Sequence, residues 1–186
     1  MQSSYTSFSF SAISAASELK FLYSLMQNTP MKAAIVTISD SRTVGDDVSG
    51  DRLAELLIAI DADIVERIIV TDDLDAIRDA LYTLSEREDV NLIFTTGGTG
   101  FGPRDNTPEA TLTVIEREAP GLAEAMRRET AAQTPMAMLS RGVCGIRGNT
   151  LIINLPGSPK GVGECFDVVR PVLGHAINLT TGQTDH

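Results

Sequence analysis

Tryptophan is absent, aromatic residues make up only 5% of the 186 positions, and there are just two cysteines and two histidines. So few soft ligands argue against a zinc ribbon or finger, which needs paired Cys and His positions. Cys144 and Cys165 stand 21 positions apart without a C-x-x-C pattern, which also argues against a disulfide framework. They read as ordinary, partly buried thiols in a reducing compartment. His175 falls in an apolar helical pattern and reads as a packed or surface residue. His186 implies no function. Basic residues are scarce too: 15 Lys and Arg face 25 Asp and Glu, giving a net charge of -10. A duplex nucleic-acid binder carries a basic footprint, so no nucleic-acid partner is expected. Small substrates meet the local field instead, and remain open. No apolar run reaches the roughly 18 residues of a membrane span. No membrane partner is expected, and the expected location is cytoplasmic.

What is present divides into two parts. Residues 1–30 hold eight serines and only two charges, Glu18 and Lys20. They lack both the Arg-rich character of a transit peptide and the basic start of a secretory signal, and read as a dispensable extension. Residues 31–182 read as one domain, in which strands and helices alternate. Short β-branched or apolar runs predict strands at 32–39, 63–73, 90–96 and from Thr150. Apolar stripes predict helices at 51–60, 74–87, 108–120 and 121–132. A last helix from Val162 is expected to be interrupted or kinked at Pro171. Strands joined by helical crossovers imply an α/β fold with a mostly parallel sheet covered on both faces. Ligands of such sheets sit outside the carboxyl ends of the strands.

The strand ends are polar in an unusual way. "TTGGTGFGPRDNTPEAT" (Thr95–Thr111) is the richest. Glycines at 97, 98, 100 and 102 allow positive φ and close approach, and their peptide N–H groups can converge on an anion. The helix that follows adds its N-terminus; Thr107 suits its N-cap and Pro108 its first position. The run is neither a P-loop nor a dinucleotide fingerprint, and a plain glycine turn is its bland reading. Asp105 bears on the choice. A carboxylate beside a phosphate cradle repels phosphate unless a cation stands between them, and Mg²⁺ takes one or two carboxylates plus phosphate oxygens. Asp72 is the second candidate ligand, since Asp73 can cap the helix at 74; both could instead decorate that helix start. Arg104 contacts a phosphate or is a solvated loop charge. In "NLPGSPKG", Pro156 and Pro159 stiffen a turn around Gly157, with Ser158 and Lys160 as donors or a plain turn with a solvated lysine. In "TISDSR", Ser39, Asp40, Ser41 and Arg42 suit a heterocycle or ribose, or form a simple Ser or Asx turn.

Together, "TISDSR", "VTDD", "FTTGGTGFGPRDNTPEAT", "NLPGSPK" and "MLSRGVCGIRGNTLIINLPG" resemble, in order and spacing, the MogA/MoaB-type family of molybdenum cofactor biosynthesis, from about Met31 to Leu179. The resemblance implies a three-layer α/β/α sandwich, usually a homotrimer. It also implies molybdopterin adenylyltransferase activity, with molybdopterin and ATP as substrates. Two family acids important for that step align with Asp72 and Asp105, which the resemblance makes catalytic and Mg²⁺-binding. The polar strand ends read above supply the candidate binding set for these substrates: Ser39, Asp40, Gly97, Gly98, Thr99, Gly100, Arg104, Pro156, Gly157, Ser158 and Lys160. A hand-over to a molybdate-inserting enzyme would follow. The rival readings are a carrier that binds molybdopterin without adenylating it, the molybdate-inserting enzyme itself, and the related domain of competence- and damage-inducible proteins.

Overall fold

The computed structural model describes residues 29–183. Most of the predicted extension (residues 1–28) and His186 lie outside the described residues. The four apolar runs form strands β1 (Lys32–Ile38), β2 (Asp63–Val70), β3 (Leu92–Thr96) and β6 (Thr150–Leu155). Two shorter strands, β4 (Arg117–Glu118) and β5 (Cys144–Arg147), complete one sheet in the order β2-β1-β3-β6-β5-β4. The first four strands run parallel. The β5 and β4 edge is antiparallel.

Successive side chains of a strand point to opposite faces, so each parallel strand feeds two cores. Ile35, Phe94 and Ile153 pack on one face against helices α1 (Val48–Ile58), α4 (Pro120–Ala131) and α5 (Pro159–Thr180). Val36, Ile93 and Ile152 pack on the other against α2 (Leu74–Ser85) and α3 (Thr107–Val114). This is the three-layer α/β/α sandwich expected from the sequence. Phe94 and Phe166 meet through the first core with ring centroids 5.8 Å apart, a separation that favours aromatic pairs.

Several boundaries differ from the sequence reading. Helix α1 begins at Val48 rather than Asp51, because the Asp47 carboxylate caps it by accepting the Gly50 N–H. Helix α3 stops at Val114, not at residue 120: Ile115 turns extended, and Glu116 and Ala119 donate to Ile146 and Cys144 of β5. Strand β5 and the hairpin that returns it to β6 were not anticipated; Gly148 takes a φ of +51° there. A 3-10 turn at Pro135–Leu139 is likewise additional. Helix α5 runs uninterrupted through Pro171. The hydrogen bond that this proline cannot donate falls on the solvent side, where both Pro171 and Asp167 are exposed. Thr29 and Pro30 are tied to this body: the Thr29 N–H donates to Asn178 Oδ1, and Asn91 Nδ2 donates to the Pro30 carbonyl.

Candidate functional site

Because β1, β2, β3 and β6 are parallel, their carboxyl ends and the loops after them share one edge of the sheet. The glycine loop leaves β3 there with Gly97 at φ +104° and Gly98 at φ +62°. Both need glycine twice over. A Cβ on Gly97 would lie 2.5 Å from the Ile38 carbonyl oxygen, and one on Gly98 would lie 2.4 Å from Thr107 Oγ1. Thr107 does not cap α3, contrary to the sequence reading. Its hydroxyl donates to the Gly97 carbonyl at 2.9 Å, and its N–H to the Gly98 carbonyl at 3.1 Å. Asn106 occupies the N-cap without a side-chain cap bond, because its amide reaches the Asp72 carbonyl at 3.0 Å. Thr107 therefore stitches the loop shut from below, and Asn106 joins it to the end of β2.

Beneath the loop lies a buried polar network. Asn154 of β6 donates to the hydroxyls of Thr95 and Thr111 and accepts from the Val143 N–H. Among the described residues no buried side-chain nitrogen or oxygen lacks a partner. A fully satisfied network of this kind fixes a floor rigidly.

A cleft of about 630 Å³ opens above that floor. One wall is the glycine loop, with Gly98, Thr99, Gly100, Phe101 and Asp105. A second is the turn from Pro156 to Gly161, including Gly157, Ser158 and Lys160. Ser158 Oγ caps α5 by accepting the Gly161 N–H, and the hydroxyl hydrogen is still free to donate. Lys160 stands largely exposed, 3.6 Å from Glu164. The third wall was not singled out as binding from the sequence: Met126, Thr130, Met136 and Leu139 of α4 and the 3-10 turn give it an apolar surface. Met126 is buried, whereas Met136 and Met138 are exposed. Of Met126, Thr130, Met136 and Leu139, only Leu139 falls in the segment "MLSRGVCGIRG", read from the sequence as a family feature without a stated role.

The other expected site residues gather around the ends of β1 and β2, beside the cleft rather than in its lining. Asp40 and Asp72 bind each other's backbone: Asp40 N–H donates to Asp72 Oδ2 at 3.0 Å, and Asp72 N–H to Asp40 Oδ1 at 3.1 Å. Arg104 pairs with Asp40 at 2.6 Å. That pair is exposed, and such pairs stabilise little. Ser39 Oγ accepts the N–H groups of Ser41 and Arg42, the local Ser turn. Arg42 points inward, donating to Ser49 Oγ and to the Gly157 carbonyl, so it links the β1 loop to the β6 loop. Asp73 caps α2 by accepting the Ala76 N–H, which leaves Asp72 out of that role.

The donor chemistry suits a hard cation. Asp105 Oδ2 accepts the Gly102 N–H at 2.7 Å and Asp72 Oδ2 is held by Asp40, while Oδ1 of each has no partner among the described residues. A carboxylate with an uncommitted oxygen is the donor type that Mg²⁺ takes alongside water and phosphate. Among the described residues no three His, Cys, Asp or Glu side chains converge as a closed metal site. Cys165 touches the cleft and Cys144 lies in the core. Burial pushes the thiol of Cys144 up to about 12 and that of Cys165 up to about 11. Native protein at pH 8 is expected to resist iodoacetamide at both thiols and to react at both once unfolded, read by mass spectrometry. Rapid native labelling of Cys165 would contradict its burial. Above pH 9 an unfolded thiol ionises while the buried one keeps its proton, so these thiols make stability fall as pH rises.

Residues 34–175 match the family described as "Probable molybdopterin binding domain". The chain is 47% identical over 148 residues to the molybdenum cofactor synthesis protein cinnamon of Drosophila melanogaster, covering 78% of this chain and 25% of that protein. It is 39% identical over 152 residues to a molybdopterin adenylyltransferase of Helicobacter pylori, covering 80% of this chain and 86% of the relative. Among solved structures it superposes on the molybdopterin biosynthesis enzyme MoaB of Thermus thermophilus with a TM-score of 0.76 at 46% identity, covering 82% of this chain and 97% of that one. No helix among the described residues is long and apolar enough to cross a membrane.

Proposed function

Because this chain belongs to the family of molybdopterin-binding domains of molybdenum cofactor biosynthesis, we propose that it is a molybdopterin adenylyltransferase, as its similar bacterial relatives are named. The terminal phosphate of molybdopterin attacks the α-phosphorus of ATP. A new P–O bond forms, the bond to the β-phosphate breaks, and pyrophosphate leaves with the electron pair. The product is adenylyl-molybdopterin.

One observation carries the reading. Thr99, Gly100 and Phe101 line the cleft, their N–H groups have no partner among the described residues, and Asp105 stands beside them with an uncommitted oxygen. Free N–H groups call for an anion and a spare carboxylate calls for a cation, and a metal-bound phosphate supplies both. The residues' roles follow. The loop N–H groups hold phosphate oxygens, and Ser158 and Lys160 donate from the opposite wall. The apolar wall at Met126 and Leu139 takes a planar heterocycle and excludes water from the reacting phosphates. Asp72 and Asp105 would hold Mg²⁺, which when bound screens the repulsion between two anionic substrates. No side chain of the cleft is needed as a nucleophile; positioning and charge stabilisation dominate, as in phosphoryl transfer generally. Ser39, Asp40 and Arg104 form the outer rim, where the exposed Arg104–Asp40 pair opens at little cost to offer its guanidinium to a phosphate.

The same reading includes a homotrimer, which is expected to give three times the chain mass in light scattering, a cytoplasmic location, and delivery of product to a molybdate-inserting enzyme. The deciding test is a single-turnover incubation with fresh molybdopterin, ATP and Mg²⁺, followed by mass spectrometry. Metal-dependent adenylyl-molybdopterin is the expected result. Tight molybdopterin binding without product would make the chain a carrier instead.

A further inference from the structure

Arg141 lies far along the chain from the glycine loop, yet the residue is spent on it. Its Nε donates to the Gly100 carbonyl at 2.6 Å, and one Nη donates to the Asp105 carbonyl at 2.5 Å. The other Nη pairs with the Glu109 carboxylate in the first turn of α3. Its own N–H donates to the Thr99 carbonyl at 2.9 Å. One residue thus fixes three loop carbonyls and the start of the helix.

The consequence follows from peptide geometry. In a trans peptide the C=O and the following N–H point in opposite directions. Turning the carbonyls of Thr99 and Gly100 toward Arg141 therefore turns the N–H groups of Gly100 and Phe101 away from it. Both residues line the cleft, and neither N–H has a partner among the described residues. Without the guanidinium, the Gly100 carbonyl would lose its recorded partner, and a glycine-rich segment has little else to hold its peptide planes.

We propose that Arg141 is a positioning residue for adenylyl transfer: it holds the loop carbonyls so that the Gly100 and Phe101 N–H groups face the transferring phosphate as a fixed cradle. Donors fixed in advance stabilise developing charge without reorganisation. Glu109 fixes the guanidinium in turn. Burial works against ionising that carboxyl, but the bond from Arg141 prevails and holds it below the usual carboxylate range. Lysine cannot take the role, because a single ammonium cannot reach two carbonyls and a carboxylate in a planar fork.

The proposal rests on the adenylyl-transfer reading for its substrate, but the clamp can be tested without it. Arg141→Lys and Arg141→Ala are compared with wild type in single-turnover assays and by backbone ¹⁵N relaxation. Both variants are expected to lower the transfer rate about 100-fold, the lower end for losing one oriented donor, with the KM for ATP changed less than about threefold. Sub-denaturing guanidinium chloride is expected to restore part of the rate to Arg141→Ala and none to Arg141→Lys. The order parameter of the Phe101 amide, whose peptide carbonyl is the one that the Arg141 Nε holds, is expected to drop from about 0.85 to below about 0.6 in both variants, while Gly100, whose peptide carbonyl keeps the backbone N–H of residue 141, stays rigid as an internal control. A wild-type rate in Arg141→Lys, or a rigid Phe101 amide in that variant, overturns the proposal. If wild type itself forms no product, the functional reading fails, and the relaxation data alone still decide the clamp.

Discussion

Asp105→Ala loses adenylyl transfer by a factor of about 10³, the upper end for removal of one group that stabilises transition-state charge. The carboxylate has two jobs that the structure separates. Oδ2 accepts the Gly102 N–H and shapes the loop, while Oδ1 is uncommitted. Asp105→Asn distinguishes them, because an amide oxygen can still accept from Gly102 but carries no charge for a cation. If the charge matters, the asparagine variant keeps wild-type stability within about 1 kcal/mol, the worth of one ordinary hydrogen bond, yet is as inactive as the alanine variant. If shape alone matters, it recovers most of the activity. Turnover at the wild-type rate in Asp105→Ala would remove this residue from the mechanism altogether.

Gly97→Ala is expected to have the largest effect on stability. Two costs add at this position. A φ of +104° strains any residue with a Cβ, by about 1–3 kcal/mol. The new carbon would also stand 2.5 Å from the backbone oxygen of Ile38, which β1 holds in place. Backbone cannot step aside as a side-chain tip can, so β1 and β3 must separate locally. A total loss of about 4 kcal/mol is expected, which lowers the melting temperature of a domain this size by about 8–16 °C. Gly182→Ala is the control. It also has positive φ, at +78°, but nothing lies within 4 Å of its Cβ position. Its loss should be only about 1–2 kcal/mol, the cost of the left-handed conformation alone. Equal losses in urea titrations of the two variants would mean that the contact with Ile38 contributes nothing.

The fold was largely readable because its signals are local. The β-branched run at 32–38, the apolar stripe on α2 and the Asp73 cap all act within a few residues, the range over which periodicity and capping operate. The glycine loop was readable as a loop for the same reason. Where the reading missed, a distant partner had taken over a residue's local option. Thr107 has a capping hydroxyl, but the Gly97 carbonyl lies closer to hand once the loop closes. The stretch after Val114 has helical composition, but β5 offers it a sheet edge. Pro171 is a separate case: it does not interrupt α5, because the bond it cannot make falls on an exposed side of the helix.

The amino-acid sequence by itself determined the alternation of strands and helices, the glycine loop after β3, and the acidic residues at the ends of β2 and of that loop. Each is written in contiguous residues and enforced by backbone conformation and short-range hydrogen bonding. Only the tertiary structure decided which carbonyls Arg42 and Arg141 would hold. It also decided that Asn154 would tie the cleft floor together, and that Met126 and Leu139 would face the loop as an apolar wall. Those partners lie from about 20 to more than 100 positions apart in the chain, a range at which a single sequence carries no periodicity or spacing to read. The packing of α4 and the β5 edge against the parallel sheet brings them together.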